Sequence, residues 1–334
     1  MKTHSIALFC GSSVGFHYKY KELCKTVCAT KSFLHLHFIV LIYGFTGILG
    51  KLISLPAHYL VFYRLLLTIP ILFIIILFRN ESLKIDKKTL YKYLGIGIII
   101  GLHWLTFFHS IKVSNVSVAL SCFASSSLFA GILEPVLQRK SVRKLEILCS
   151  VVVLVTLSVM LGFEIKYWQG ALFGVLAAFL AALFTVLNKQ LSDTKALTTM
   201  SFYEMSGALI PIILILGISF LFSKETLHAT SLQIATSLQT IWQIPSLSDW
   251  GWLLLLASVC TAYPFVAIIK LLRSLSAFTV SLAVNFEPIY SIIFAYLIFG
   301  ESERMTSVFY IGLCIVFGII FLYPVLKGRF SASN

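Results

Sequence analysis

Four ionisable side chains interrupt long apolar runs. They are Arg64 in Tyr63-Arg64-Leu65, Glu134 before Pro135, Glu204 in Phe202-Tyr203-Glu204, and Glu287 in Asn285-Phe286-Glu287-Pro288. Charge among apolar neighbours is expensive, so such groups face a cavity or a bundle interior, and they often pair. A buried guanidinium can hold a carboxylate, and a carboxylate can take a proton or an amine. Arg64 and Glu287 are therefore the leading candidates for binding substrate or proton, with Asn285 beside the latter. Glu134 and Glu204 fall nearer to clusters of lysine, so site residue and helix-end salt bridge both stay open for them.

Polar and aromatic companions lie close by in the sequence. His103 and Trp104 are adjacent, Trp104 being suited to stacking or lining, and Tyr63 directly precedes Arg64. Ser121 and Ser125 belong to a serine-rich stretch with Ser126 and Ser127. Such hydroxyls either line a polar path or satisfy one another at a tight helix crossing. Pro288 removes a helix hydrogen bond, giving either exposed carbonyls and bending or a static packed kink. Lys51, Lys189 and Glu301 stand at the ends of apolar runs as structural or gating candidates.

The elements that carry these residues are membrane spans. Of 334 residues, 59% are hydrophobic and 12% charged, with a mean hydropathy of +0.95. One soluble core cannot hide that much apolar surface, so lipid must take part of it. Ten apolar segments, each near the roughly 20 residues a crossing helix needs, fall at 33–53, 57–78, 92–111, 115–137, 146–163, 169–190, 199–222, 250–271, 276–299 and 306–326. Gly44, Gly47 and Gly50 of the first suit close helix approach. The expectation is an all-α integral membrane protein.

Charge gives the orientation. With the N-terminus inside, 20 basic residues fall in the leader, the loops at 79–92, 139–144, 189–195 and 270–273, and the tail. Lys51, Lys112, Lys166, Lys224 and Arg304 make five on the other side. That bias places both termini in the cytoplasm. Trp168, Trp250 and Trp252 fall at the expected outer boundary, where aromatic anchors belong. Residues 1–32 read as an irregular basic cytoplasmic leader without a cleavage signal, and 327–334 as a cytoplasmic tail.

The net charge of +13 also raises nucleic-acid binding, but the basic residues recur loop by loop and form no single patch. Seven cysteines show neither metal-site spacing nor a disulfide framework. No phosphate-binding loop, dinucleotide fingerprint or His-Glu-x-x-His motif occurs. The serines and histidines form no convincing nucleophile–base arrangement. No enzyme, cofactor or metal is expected; the partners are a small solute and the bilayer, with proton coupling open.

The ten segments divide into two halves, 33–163 and 169–326. Phe45-Thr46 through Lys51 matches Phe184-Thr185 through Lys189, and Cys122-Phe123 matches Asn285-Phe286. The offset grows from 138 (Lys51 to Lys189) to 163 (Cys122 to Asn285), an increase of 25 that fits an extra outer loop at 223–249. Five helices per half is an odd number, so the halves run in opposite senses. Inverted repeats are a recurring architecture of secondary transporters.

The second half carries Ser276-Ala277 through Asn285-Phe286-Glu287-Pro288-Ile289-Tyr290, then Ala295-Tyr296-Leu297-Ile298-Phe299-Gly300-Glu301, with Gly312 beyond. By these residues and the duplication the chain resembles the EamA branch of the drug/metabolite transporter superfamily over about residues 34–326. In the first half Ser125 stands where the proline would be and Gln138 where Glu301 would be, which puts symmetric use of the two halves in doubt. The resemblance implies movement of a metabolite, often export of amino acids or related solutes, by alternating access across a bacterial inner membrane. Relatives also carry nucleotide sugars and phosphorylated sugars. Glu301 resembles a family scaffold residue at a helix end. A scaffold or sensor that moves no solute, and a passive facilitator, are the competing classes.

Overall fold

A computed structural model of the chain describes residues 14–142, 144–162, 165–194, 196–221, 243–304 and 306–331. Everything regular in it is helical. The first helix, α1 (Val14–Leu52), is followed by α2 (Ala57–Arg79) and α3 (Lys87–Val113). Next come α4 (Val116–Phe123), α5 (Ser126–Leu137), α6 (Lys144–Gly162), α7 (Trp168–Leu191) and α8 (Leu197–Leu221). The chain continues through α9 (Leu247–Ala257), a π-helical turn (Ser258–Ala262), α10 (Tyr263–Leu271), α11 (Ala277–Val284), α12 (Glu287–Phe299) and α13 (Ser307–Ser331).

Eight stretches among the described residues are long and apolar enough to cross a membrane: α1 from Lys31, α2, α3, α4–α5, α7, α8 to Ile218, α9–α10 and α11–α12. Their outward side chains are apolar: Leu77, Phe78, Leu214, Leu254 and Leu297 are each more than half exposed. A soluble monomer rarely shows apolar surface on this scale; a bilayer covers it. The protein is an all-α, multi-span membrane protein. Helices α6 and α13, packed on one another, stand where the fifth and tenth spans are expected. Most of the outer loop expected at 223–249 lies outside the described residues.

The leader departs from expectation. Residues 14–31 are helical and run without interruption into the first span, because no glycine or proline breaks the chain between Phe16 and Tyr43. Residues 1–13 lie outside the described residues.

Three spans expected as single helices are broken, each for a local reason. The break at Ser258–Ala262 precedes Pro264. Proline lacks an N–H and its ring crowds the carbonyl four residues back, here Cys260, so the helix widens by one residue. Pro288 likewise has no N–H to give the Val284 carbonyl, and α11 ends at Val284. Between α4 and α5 no proline is present. There the Ser125 hydroxyl donates to the Cys122 carbonyl at 2.7 Å, a local bond that competes with helix continuation.

Two of the broken spans share a local plan. Helices α4 and α11 are eight residues each, capped by the side chains of Asn115 and Ser276. Helices α5 and α12 then end at left-handed residues, Arg139 (φ 55°) and Gly300 (φ 58°). Counted from these caps and positive-φ residues, Asn285 stands at the place of Ala124, Pro288 at that of Ser127 and Glu301 at that of Lys140. Each lies two residues from the partner that the sequence match gives it, because apolar identity repeats freely within a span, whereas caps and positive φ values do not.

Helix α3 packs chiefly against α7 and α8, α2 against α8, and α12 against α1 and α4. Contact between α3 and α8 is backbone on backbone: a methyl group on Gly97 would run into the Glu204 carbonyl oxygen, and one on Gly101 into that of Ala208. Small residues at such crossings let helices gain dispersion where lipid offers no hydrophobic driving force.

Candidate functional site

Helices α1, α2, α3 and α7, the π turn and the α11–α12 break converge on a cavity of about 100 Å³. On that measure one water needs roughly 10–15 Å³, so the space suits a small solute. Arg64, His103, Trp104 and Glu287 line it. Aromatic walls come from Tyr43, Phe107, Phe123, Phe184 and Phe265, and polar atoms from Thr46, Ser126, Thr185, Asn188, Thr261 and Ser281.

Arg64 is the most constrained of these residues. It is 2% exposed, its Nε donates to Thr261 Oγ1 at 2.8 Å, and its guanidinium lies 3.8 Å from the Trp104 ring centroid. The π turn makes the first contact by bringing Thr261 inward, where its own hydroxyl donates to the Leu256 carbonyl at 2.5 Å. Arg64 Nη1 has no acceptor among the described residues. A buried guanidinium donor left open is costly unless something fills it.

Glu287, 5% exposed, is the first residue of α12, a position where the helix dipole favours negative charge. No salt bridge joins it to Arg64 among the described residues. The cavity therefore offers one cationic and one acidic group as separate points. His103 Nδ1 lies 2.9 Å from the Ala177 carbonyl oxygen; a carbonyl only accepts, so Nδ1 carries the hydrogen.

Other candidates from the sequence lie outside the lining. Asn285 donates from Nδ2 to Ser127 Oγ at 2.7 Å and accepts from Ser126 Oγ at 3.4 Å, clasping the two helix breaks together. Tyr63 packs edge-on against Trp250 at 5.4 Å. Ser125 is held by the Cys122 carbonyl, and the buried Ser121 hydroxyl has no partner among the described residues. Pro288 is the second residue of α12; its side chain lies outside the described residues.

The helix-end candidates each have a definite place. Lys51 Nζ sits 4.2 Å over the Phe299 ring, and Lys189 Nζ donates to the Leu272 carbonyl. Glu301 pairs with Arg304 at 3.1 Å on the surface. Glu134 accepts from the Ala277 and Phe278 amides at 3.2 and 2.9 Å, so it caps α11 instead of meeting a lysine. Glu204 is 0% exposed and meets Asn188, with Nδ2 donating to Oε2 at 3.5 Å. It too makes no salt bridge among the described residues.

Thr46, Thr185 and Asn188 are lining residues that charge-based reasoning passed over. The signal was present: Thr46 and Thr185 are the shared threonines of the Phe-Thr match between halves, and both reach the cavity.

A multi-span helical bundle around a small, part-polar internal cavity has the form of a membrane transporter. The model of the EamA-like transporter family matches residues 32–162 and again 168–323, and this chain belongs to that family. Membership places it among permeases, not enzymes. A solved structure, described only as the crystal structure of a protein, superposes with a TM-score of 0.62 over 89% of this chain and 99% of that one. At 13% identity the likeness concerns the fold alone. A comparison with curated proteins finds no match.

Proposed function

We propose that this protein is a secondary transporter that moves a small, carboxylate-bearing metabolite of amino-acid type by alternating access. The observation that carries this reading is Arg64 Nη1, an open guanidinium donor on a cavity with aromatic walls and Glu287 on its lining. A carboxylate accepts from such a donor, a substrate amine or a proton suits Glu287, and the aromatic rings take an apolar side chain. Arg64 rests on Trp104, so the charge is held in place before a solute arrives.

The reading extends to topology. Ten spans form two inverted five-helix repeats, 33–163 and 169–326, with both termini on the cytoplasmic side of a bacterial inner membrane. The twofold family match, the helices at α6 and α13 and the loop charge bias support it. The cavity lies between the halves, and the paired breaks α4–α5 and α11–α12 are the places where each half bends. Solute export is the direction that the family resemblance favours.

Uptake and release by proteoliposomes, against empty vesicles, tests the function. Flux with counterflow supports alternating access; flux without counterflow indicates a passive facilitator, and no flux indicates a scaffold or sensor. An unchanged substrate dependence and pH profile in Glu287→Gln, at equal expression, would remove Glu287 from the site.

A further inference from the structure

Behind the cavity lies a carboxyl group that the solute site does not use. Glu204 projects from α8, fully buried, toward Asn188 of α7, which lines the cavity. Asn188 Nδ2 donates to Glu204 Oε2, yet both Glu204 Oε1 and Asn188 Oδ1 are buried with no hydrogen-bond partner among the described residues. Two neighbouring acceptors thus lack a donor at once.

The surrounding groups do not relieve this. From α3 the facing titratable group is Tyr93, buried and neutral as a phenol, while Lys92 is exposed. On α7, Lys189 is held by the Leu272 carbonyl. On α2, Arg64 is held by Thr261 and Trp104, and Arg79 by Thr198 and Glu81. On α10, Lys270 is exposed; beyond it Arg273 donates to the Ser192 and Thr194 carbonyls. A carboxylate with no cation beside it, buried in an apolar bundle, is among the costliest arrangements available.

One hydrogen removes both deficits. A protonated carboxyl is a donor as well as an acceptor, and a carboxylic acid and a primary amide form a reciprocal pair. The amide N–H donates to one carboxyl oxygen while the carboxyl O–H donates to the amide oxygen. We propose that Glu204 is a proton-binding site, filled when its carboxylic acid pairs with Asn188. Release breaks the Glu204 O–H bond, transfers the proton to a water molecule, and leaves a carboxylate that must be hydrated. Coupling of that release to solute movement rests on the transporter reading above; the presence of the proton does not.

Infrared spectroscopy of the reconstituted protein in H₂O and D₂O at neutral pH, with no solute and no flux, tests the site. The wild type is expected to show a carboxylic-acid carbonyl band that moves down in D₂O. The band is read in a Glu287→Gln background, because Glu287 can itself hold a proton when no solute is bound. There it is kept, it is lost when Glu204→Gln is added, and it is displaced when Asn188→Leu is added, since the acid then loses its amide partner. A Glu287→Gln protein without the band, a band that persists in the Glu204→Gln/Glu287→Gln double variant, or one that Asn188→Leu leaves in place overturns the proposal. The Asn188→Leu arm decides it even where the double variant does not fold. Absence of transport by a protein that keeps the band would count against the transporter reading alone.

Discussion

The guanidinium of Arg64 lies over the Trp104 ring, 3.8 Å from its centroid, and is tied through Nε to Thr261. One residue from α2, one from α3 and one from the π turn thereby fix a charge in a place where lipid-facing helices would not tolerate it. The ring supplies the attraction, the threonine sets the orientation, and Nη1 is left without an acceptor among the described residues. Whatever acts on that geometry should act on transport.

Replacing Arg64 by Gln removes the charge with limited loss of volume. A hydrogen bond to a charged group is worth about 1.5–3 kcal/mol, so half-saturation for a carboxylate solute should rise roughly 10- to 150-fold. Arg64→Lys keeps the charge but not the planar fork, and should fall between the two. Concentration-dependent uptake by proteoliposomes measures both.

Trp104→Phe should retain part of the cation–π attraction and Trp104→Ala none of it. The loss in the alanine variant is about 0.5–2 kcal/mol, or roughly 2- to 30-fold in solute affinity. Equal affinity in all three proteins would show that Arg64 needs no ring beneath it.

Glu134 stabilises the start of α11 from a different helix, α5. Loss of a capping group costs about 0.5–2 kcal/mol, so Glu134→Ala should lower thermal stability in detergent. Glu134→Gln retains an acceptor oxygen and should lose less. Thermal unfolding of the purified variants gives the order directly.

Gly97 sits where α3 and α8 touch through their backbones. Gly97→Val should therefore separate the helices and reduce the yield of monodisperse protein, since the Glu204 carbonyl cannot yield as a flexible side chain would. Gly95, which has open space around its Cβ position, should accept valine with little effect. Size-exclusion profiles of the two variants make the comparison.

Much of this was legible in the sequence, for a simple reason. Long apolar runs are strong signals, so eight of the spans could be read without coordinates, and charge or an aromatic ring inside an apolar run picked out Arg64, Glu287, His103 and Trp104, which all line the cavity. What escaped depends on contacts between segments distant in the chain. Asn285 looked like a ligand because it neighbours Glu287, but it is spent on Ser126 and Ser127, some 159 positions away. For Glu134 the sequence leaves both a site role and a lysine partner open, and backbone amides of α11 claim it. The π turn that positions Thr261 leaves no trace in hydropathy, and only Pro264 hinted at it.

The central claim is that the cavity at Arg64 carries a carboxylate-bearing solute across the membrane. Counterflow into proteoliposomes loaded with a pool of amino acids and other small carboxylates, with labelled members outside, tests it most directly. Wild-type protein should accumulate at least one labelled carboxylate above empty vesicles, and Arg64→Gln at equal incorporation should lose most of that accumulation. Counterflow that is unchanged in Arg64→Gln, or its absence for every solute in the pool, would contradict the account.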